Sequence, residues 1–254
     1  MLRKILNTFY NITLEAEKSR IGNIDDAYFD DKKWKIRYLV SDSIKFLPAR
    51  RVLISPISIK DINYDQESIS INHSKKEIEQ SPVVNQGLLP SREIEIELKN
   101  YFNWPVYWGS GYLIGEGDLR SGIALTRGTK EEVERDPNLR SCNGVIGYEI
   151  ESDNNTIGYV QDYILDDQTW DIRYLVIDLH GGFENNIRLV ATDWIQECDW
   201  NRMTFMTELT PKRILKSPEY NQEDPVNTIM KYDCTNIIIN LNTGFKNRIV
   251  NSES

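Results

Sequence analysis

Ile21-Gly22-Asn23-Ile24-Asp25-Asp26-Ala27-Tyr28-Phe29-Asp30-Asp31-Lys32-Lys33-Trp34-Lys35-Ile36-Arg37-Tyr38-Leu39-Val40 returns 136 residues later as Ile157-Gly158-Tyr159-Val160-Gln161-Asp162-Tyr163-Ile164-Leu165-Asp166-Asp167-Gln168-Thr169-Trp170-Asp171-Ile172-Arg173-Tyr174-Leu175-Val176, with eleven of the twenty positions identical. The offset holds beyond this stretch: Asp42 meets Asp178, Leu53 meets Leu189, Ile59 meets Ile195, Tyr64 meets Trp200, Ile78 meets Ile214, and Ser81-Pro82 meets Ser217-Pro218. Self-similarity at a fixed spacing marks a duplicated unit, here roughly 75 to 80 residues long with a connector of about 55 between the copies.

Within each copy the apolar residues recur at period two, as in strands, and turn signals separate the runs. The first copy offers strands near residues 12–17, 22–29, 34–41, 52–54, 59–64 and 69–72, and the second near 145–151, 158–165, 170–178, 188–191, 195–200 and 203–206. Short strands with no room for crossover helices between them predict a small antiparallel barrel. Each ends in a helical turn, Ser74 to Ile78 and Thr210 to Ile214, with a hydroxyl at the N-cap and a Ser-Pro stop. In the connector, Pro90-Ser91 starts a helix whose Ile94, Leu98, Tyr101 and Phe102 share a face, and Asn103-Trp104-Pro105 ends it. Six glycines between residues 109 and 128 predict a loop; they form no phosphate-cradling motif. The fold class expected is all-β: two tandem small antiparallel barrels with short helices in the connector and in the C-terminal tail, where 226–232 is one candidate. The expected divisions are 1–85, first barrel; 86–140, connector; 141–220, second barrel; 221–254, tail.

The repeated pattern Ile-Gly, Asp-Asp, Trp-x-Ile-Arg-Tyr-Leu-Val, followed in the first copy by Arg51-Val52-Leu53-Ile54-Ser55-Pro56 and a Ser-Pro closing segment, resembles the PRC-barrel domain family. The resemblance spans about residues 5–82 and 141–218, and Trp104-Pro105-Val106-Tyr107-Trp108-Gly109 resembles the aromatic segment that follows the barrel in tandem bacterial members. It implies a six-stranded barrel of the kind found in the H subunit of the photosynthetic reaction centre and in a ribosome-maturation factor. It further implies a docking or scaffold role, with no shared catalytic residues. The second copy departs from the pattern at Ile187-Arg188-Leu189-Val190-Ala191-Thr192, so a role of that loop would belong to the first copy.

The chain carries 30 Lys and Arg against 39 Asp and Glu, a net charge of −9. Residues 1–100 hold 16 basic and 15 acidic side chains, so the excess of acid lies in the remainder. An acidic chain repels phosphate, and the one basic stretch, Lys32 to Arg37, follows Asp25, Asp26, Asp30 and Asp31; nucleic-acid binding is therefore not expected. No apolar run is long enough to cross a bilayer, and neither membrane insertion nor a secretory leader is expected, which points to the cytoplasm. Cys142, Cys198 and Cys234 are odd in number and widely spaced, as isolated thiols of a reducing compartment are. His73 and His180 both read as exposed, unperturbed imidazoles, so no enzyme, cofactor or metal is expected.

A four-residue turn at Asp30 to Lys33 sets Asp26 opposite Arg37, and the same count in the second copy sets Asp162 opposite Arg173. These read as cross-strand ion pairs that fix register rather than as a polar binding spot. Asp30-Asp31 and Asp166-Asp167 read as turn formers rather than paired catalytic carboxylates. Trp34, Ile36, Tyr38 and Val40, with Trp170, Ile172, Tyr174 and Val176, read as core stripes. Trp104, Tyr107 and Trp108 pack between the barrels or anchor a partner. The function expected is a non-enzymatic scaffold or adaptor that binds a protein partner, its two barrels forming an internal pseudo-dimer. The alternative is a module holding a small polar or quinone-like ligand at an inter-barrel cleft, tied to photosynthetic-type electron transport by fold analogy alone.

Overall fold

A computed structural model describes residues 2–4, 9–42, 50–82, 84–85, 89–105, 135–179, 187–217 and 220. The chain divides into a first unit, Phe9–Gly144, and a second unit that joins Met1–Thr8 to Val145–Ser254. Unit boundaries therefore do not fall where the repeat alone puts them. The connector groups with the first copy, and the N-terminal residues group with the second.

The molecule is mostly β, in two separate sheets. In chain order the strands are β1 (Leu2–Lys4), β2 (Thr13–Ala16), β3 (Ser19–Asp30), β4 (Lys35–Asp42), β5 (Arg50–Ile54), β6 (Ile59–Asn63), β7 (Ser68–Ile71), β8 (Val84–Asn85), β9 (Leu139–Ser141), β10 (Glu149–Ser152), β11 (Asn155–Asp166), β12 (Ile172–Leu179), β13 (Ile187–Ala191), β14 (Ile195–Asp199) and β15 (Thr204–Thr207). The first sheet runs β6-β7-β2-β3-β4-β5-β8 and the second β13-β12-β11-β10-β15-β14, so equivalent strands of the two copies hold equivalent places. Two departures from the expected antiparallel barrel follow. The pairs β2–β7 and β10–β15 are parallel. Among the described residues the strands at the two ends of each path do not pair with one another, so each ladder is open.

Each sheet also takes a three-residue strand from the sequence that precedes the other copy. β9 pairs with the end of β3 (Tyr28 to Ser141, Phe29 to Arg140, Asp30 to Leu139), and β1 pairs with the end of β11 (Leu2 to Asp166, Arg3 to Leu165, Lys4 to Ile164). Both donated strands begin with Leu-Arg. Neither carries enough residues to show a periodicity.

Local chemistry explains the rest. The two-residue turns Glu17-Lys18 and Asp153-Asn154 hold both residues at positive φ, the geometry that matches the twist of flanking strands. Asp30 Oδ1 accepts from the backbone N–H of Lys32 and Lys33 (both 3.0 Å), and Asp166 Oδ1 from those of Gln168 (2.9 Å) and Thr169 (3.2 Å), confirming the aspartates as turn formers. Trp34 and Trp170 close these turns in the left-handed region. Neither begins a strand, and Trp34 stacks on Phe29 with centroids 5.5 Å apart. Gly158, shared by both copies, sits where a β-carbon would collide with the carbonyl oxygen of Asp178.

Of the stripe, Ile36, Tyr38 and Val40 are fully buried, as are Ile172 and Val176; Trp170 also belongs to the buried core, while Trp34 and Tyr174 are only partly buried. Helix α1 (Lys75–Gln80) opens with a capping box between Ser74 and Glu77. Helix α2 (Arg92–Phe102) is capped by Ser91 and ends at Asn103 in the left-handed conformation, its buried side presenting Glu95, Leu98 and Phe102. Short helices α3 (Cys142–Val145) and α4 (Pro211–Ile214) and two 3-10 turns, Pro56–Ser58 and Thr192–Trp194, are also described.

Candidate functional site

The polar residues singled out by the repeat do not form the pairs that an even strand count predicts. Asp26 faces Val40 rather than Arg37, and Asp162 faces Val176 rather than Arg173. Two features account for the slip. The hairpin pairs Phe29 with Ile36 and Leu165 with Ile172, not with Trp34 and Trp170, and one residue, Arg37 or Arg173, is then passed over, because Tyr28 pairs with Tyr38 and Ile164 with Tyr174. A residue extruded at a bulge points its side chain away from the regular alternation, which frees both arginines for other partners.

Asp26 is buried and serves as an anchor for the β9–α3 segment. Its Oδ2 accepts from Ser141 Oγ at 2.6 Å, and its Oδ1 accepts from the backbone N–H groups of Asn143 (3.1 Å) and Ala27 (2.8 Å). Burial raises the carboxyl above its ordinary value, and these hydrogen bonds together with Arg51 work the other way. Asn143 also takes the hydroxyl proton of Tyr10 on its Oδ1 (2.8 Å) and donates Nδ2 to the Asp25 carbonyl (2.8 Å). Beside this cluster Arg51 donates to the Tyr28 hydroxyl at 2.6 Å. The second unit keeps the carboxylate and its local bond, Tyr163 N–H to Asp162 Oδ1 at 2.8 Å, but has Ile164 and Ile187 where the first has Tyr28 and Arg51.

Arg37, with only 1% of its side chain exposed, lies in a buried ionic network. Its Nη1 donates to Asp136 Oδ2 at 2.7 Å and stands 4.0 Å from Asp30, and its Nη2 lies 3.1 Å from Glu95 Oε1. The same Glu95 oxygen accepts from the Tyr38 hydroxyl (3.1 Å), and Arg92 closes the ring at 3.2 Å from Asp136 and 3.6 Å from Glu95. Burial works against the Arg37 charge, but Glu95 and Asp136 more than offset it, so the guanidinium stays protonated. Arg173 is its copy only in sequence. Its side chain is 48% exposed and pairs with Asp171 (3.2 Å) and Asp166 (3.8 Å) on its own hairpin.

Trp104 is buried within the first unit rather than exposed as a partner anchor. Its ring stacks on Phe102, with centroids 4.7 Å apart, and tilts against Tyr38, and its Nε1 donates to Ser58 Oγ at 2.6 Å. Tyr107, Trp108, His180, Cys234 and the expected glycine-rich loop and tail helix lie outside the described residues. His73 differs from the exposed imidazole expected. It is half-buried against Phe102, its Nε2 lies 2.7 Å from Ser58 Oγ, and burial lowers its pKa. The indole N–H of Trp104 donates to the same Ser58 hydroxyl, and the direction of the hydroxyl–imidazole bond follows the tautomer of His73. This serine–histidine pair has a nucleophile only 3% exposed beneath Trp104, and what it holds is the end of α2.

No group of three or more potential metal ligands occurs among the described residues. The residues missed in the sequence are Glu95, Asp136, Ser141, Asn143 and Ser58. Only Glu95 had a readable signal, an acid at i in an i, i+3, i+7 stripe otherwise made of Leu98 and Phe102. No protein-family model and no curated protein matches the chain.

Proposed function

We propose that the chain is a non-enzymatic scaffold or adaptor of PRC-barrel type, whose two copies form an internal pseudo-dimer and bind a protein partner. One observation supports this above the others: the perturbed and buried polar groups of the first unit are spent on the chain's own connections. Asp26 holds β9 and α3, Arg37 holds α2 through Glu95, and Ser58 with His73 holds Trp104. Perturbed groups of this kind mark active sites where they face an open cleft; here they fasten segments to a sheet. The exposed large apolar side chains of the first unit, Ile57, Ile96 and Tyr101, take over from Trp104 as contacts for a partner.

The test is capture of the tagged full chain from the cells that produce it, followed by native mass spectrometry. A stoichiometric protein that is retained by the parent chain and lost from the double variant Ile57→Asp, Ile96→Asp supports the adaptor. A retained small molecule without a protein defeats it.

A further inference from the structure

The seat that α2 occupies in the first unit has a copy in the second, and part of that copy is exposed. In the first unit Glu95 lies on Arg37 and Tyr38, and Phe102 and Trp104 cover His73 and Ser58. At the 136-residue offset these positions are Arg173, Tyr174, Leu209 and Trp194. Arg37 is 1% exposed and Arg173 48%; Tyr38 is fully buried, whereas Tyr174 and Trp194 are only partly so, and Leu209 is buried at the base of the seat.

The chain approaches both seats by the same route. Val84 in β8 pairs with Arg51, and the backbone N–H of Tyr220 donates to the carbonyl of Ile187, which is the same pair of positions in the second copy. From Tyr220 the sequence continues to Ser254 and keeps the offset. Asn85-Gln86 returns as Asn221-Gln222, and the N-cap Ser91 returns as Asn227, an equally good cap. The buried Leu98 and Phe102 return as the apolar Cys234 and Ile238.

Charge changes in step. Where the first copy has Lys35, the second has Asp171, which supplies Arg173 from the strand with the carboxylate that Arg37 receives from Glu95. The seat then holds Asp166 and Asp171 against one arginine, and the position of Glu95 has become Lys231, the opposite sign to that surplus. We propose that the face formed by Arg173, Tyr174 and Trp194 is a docking seat whose occupant is this chain's own C-terminal segment, 226–238, placed on it as α2 is placed on the first. The inference stands independently of the adaptor reading, since it concerns only how the second copy is completed.

Cys234 takes the place of the buried Leu98 and so reports occupancy. Site-resolved alkylation of the native full chain, read by peptide mass spectrometry, is expected to label Cys234 at least about tenfold more slowly than the same chain in denaturant, because a covered thiol is inert. Lys231→Glu should bring the rate toward the denatured value. The double variant Asp171→Lys, Lys231→Glu, which rebuilds the charge arrangement of the first copy, should restore protection. Three results overturn the proposal: Cys234 labelling at the denatured rate in the parent chain, protection indifferent to Lys231→Glu, or protection that disappears on dilution, which would mean a second copy supplies the segment.

Discussion

Ser141 Oγ donates to Asp26 Oδ2 across 2.6 Å, joining the last strand of the first unit to its longest one over 115 positions of sequence. Two backbone N–H groups share the same carboxylate, so its removal strands three buried or half-buried donors at once. Ser141→Ala, which removes one bond, should cost about 1 kcal/mol, and Asp26→Ala about 2–4 kcal/mol, because unsatisfied buried groups bear the full desolvation penalty. Urea denaturation of the full chain reads both. Equal costs for the two variants would show that Asp26 holds nothing beyond the serine.

The duplicated arginine should behave differently in its two places. Glu95→Ala leaves Arg37 buried with a diminished set of carboxylates, a change that costs about 3–5 kcal/mol when a buried pair is broken. Arg173→Ala removes a half-exposed pair and should cost under about 1 kcal/mol. A thermal melt comparing the two variants decides the matter, and comparable losses would contradict the burial difference between the copies.

Deleting residues 1–4 should weaken the distant copy rather than the adjacent one. Among the described residues, β1 pairs with Ile164, Leu165 and Asp166 of β11 and with no strand of the sheet that holds residues 13–71. Hydrogen exchange of the truncated chain is expected to quicken across 155–166 and to leave 19–30 unchanged. Faster exchange in β3 instead would assign the N-terminal strand to its own copy.

Strand positions were legible because two copies of one pattern reinforce each other: both 12-residue strands and both closing helical turns fall where the repeat puts them. Register was not. A bulge at Arg37 and a second irregularity at Asp25 leave no trace in hydrophobic alternation, and the left-handed Trp34 shifts the turn by a residue. The donated strands were invisible because three residues carry no period and their partners lie in the other copy. Asp26 and Arg37 were expected to pair with each other across the hairpin; both are buried, and their actual partners, Ser141 and Glu95, are set by tertiary contact alone. Trp104 read as a packing residue between barrels or as a partner anchor because sequence records its size and neighbours, not the Ser58 hydroxyl that accepts its N–H.

Two groups of the first unit should oppose each other in one pH window. Burial raises the Asp31 carboxyl to about 6 from an ordinary 3.8, against the pull of Arg140 at 3.1 Å. A raised value means that the folded state holds its proton more tightly than the unfolded chain does. The stability that follows is complete below about pH 4 and is lost as the pH climbs through about 6. His73 runs the other way, since burial lowers it from 6.5: its contribution is complete above about 6.5 and is lost as the pH falls through the lowered value. Asp26 and Glu95 are raised by burial as well, so the two groups are read by difference from the parent chain. Relative to the parent, Asp31→Asn should tilt the stability profile between about pH 4 and 6.5 upward with pH, and His73→Gln should tilt it downward, while its amide keeps a hydrogen-bonding group beside the Ser58 hydroxyl. Urea titrations of the three chains across the window provide the check, and two variants that tilt the profile in the same direction would show that one of these burial assignments is wrong.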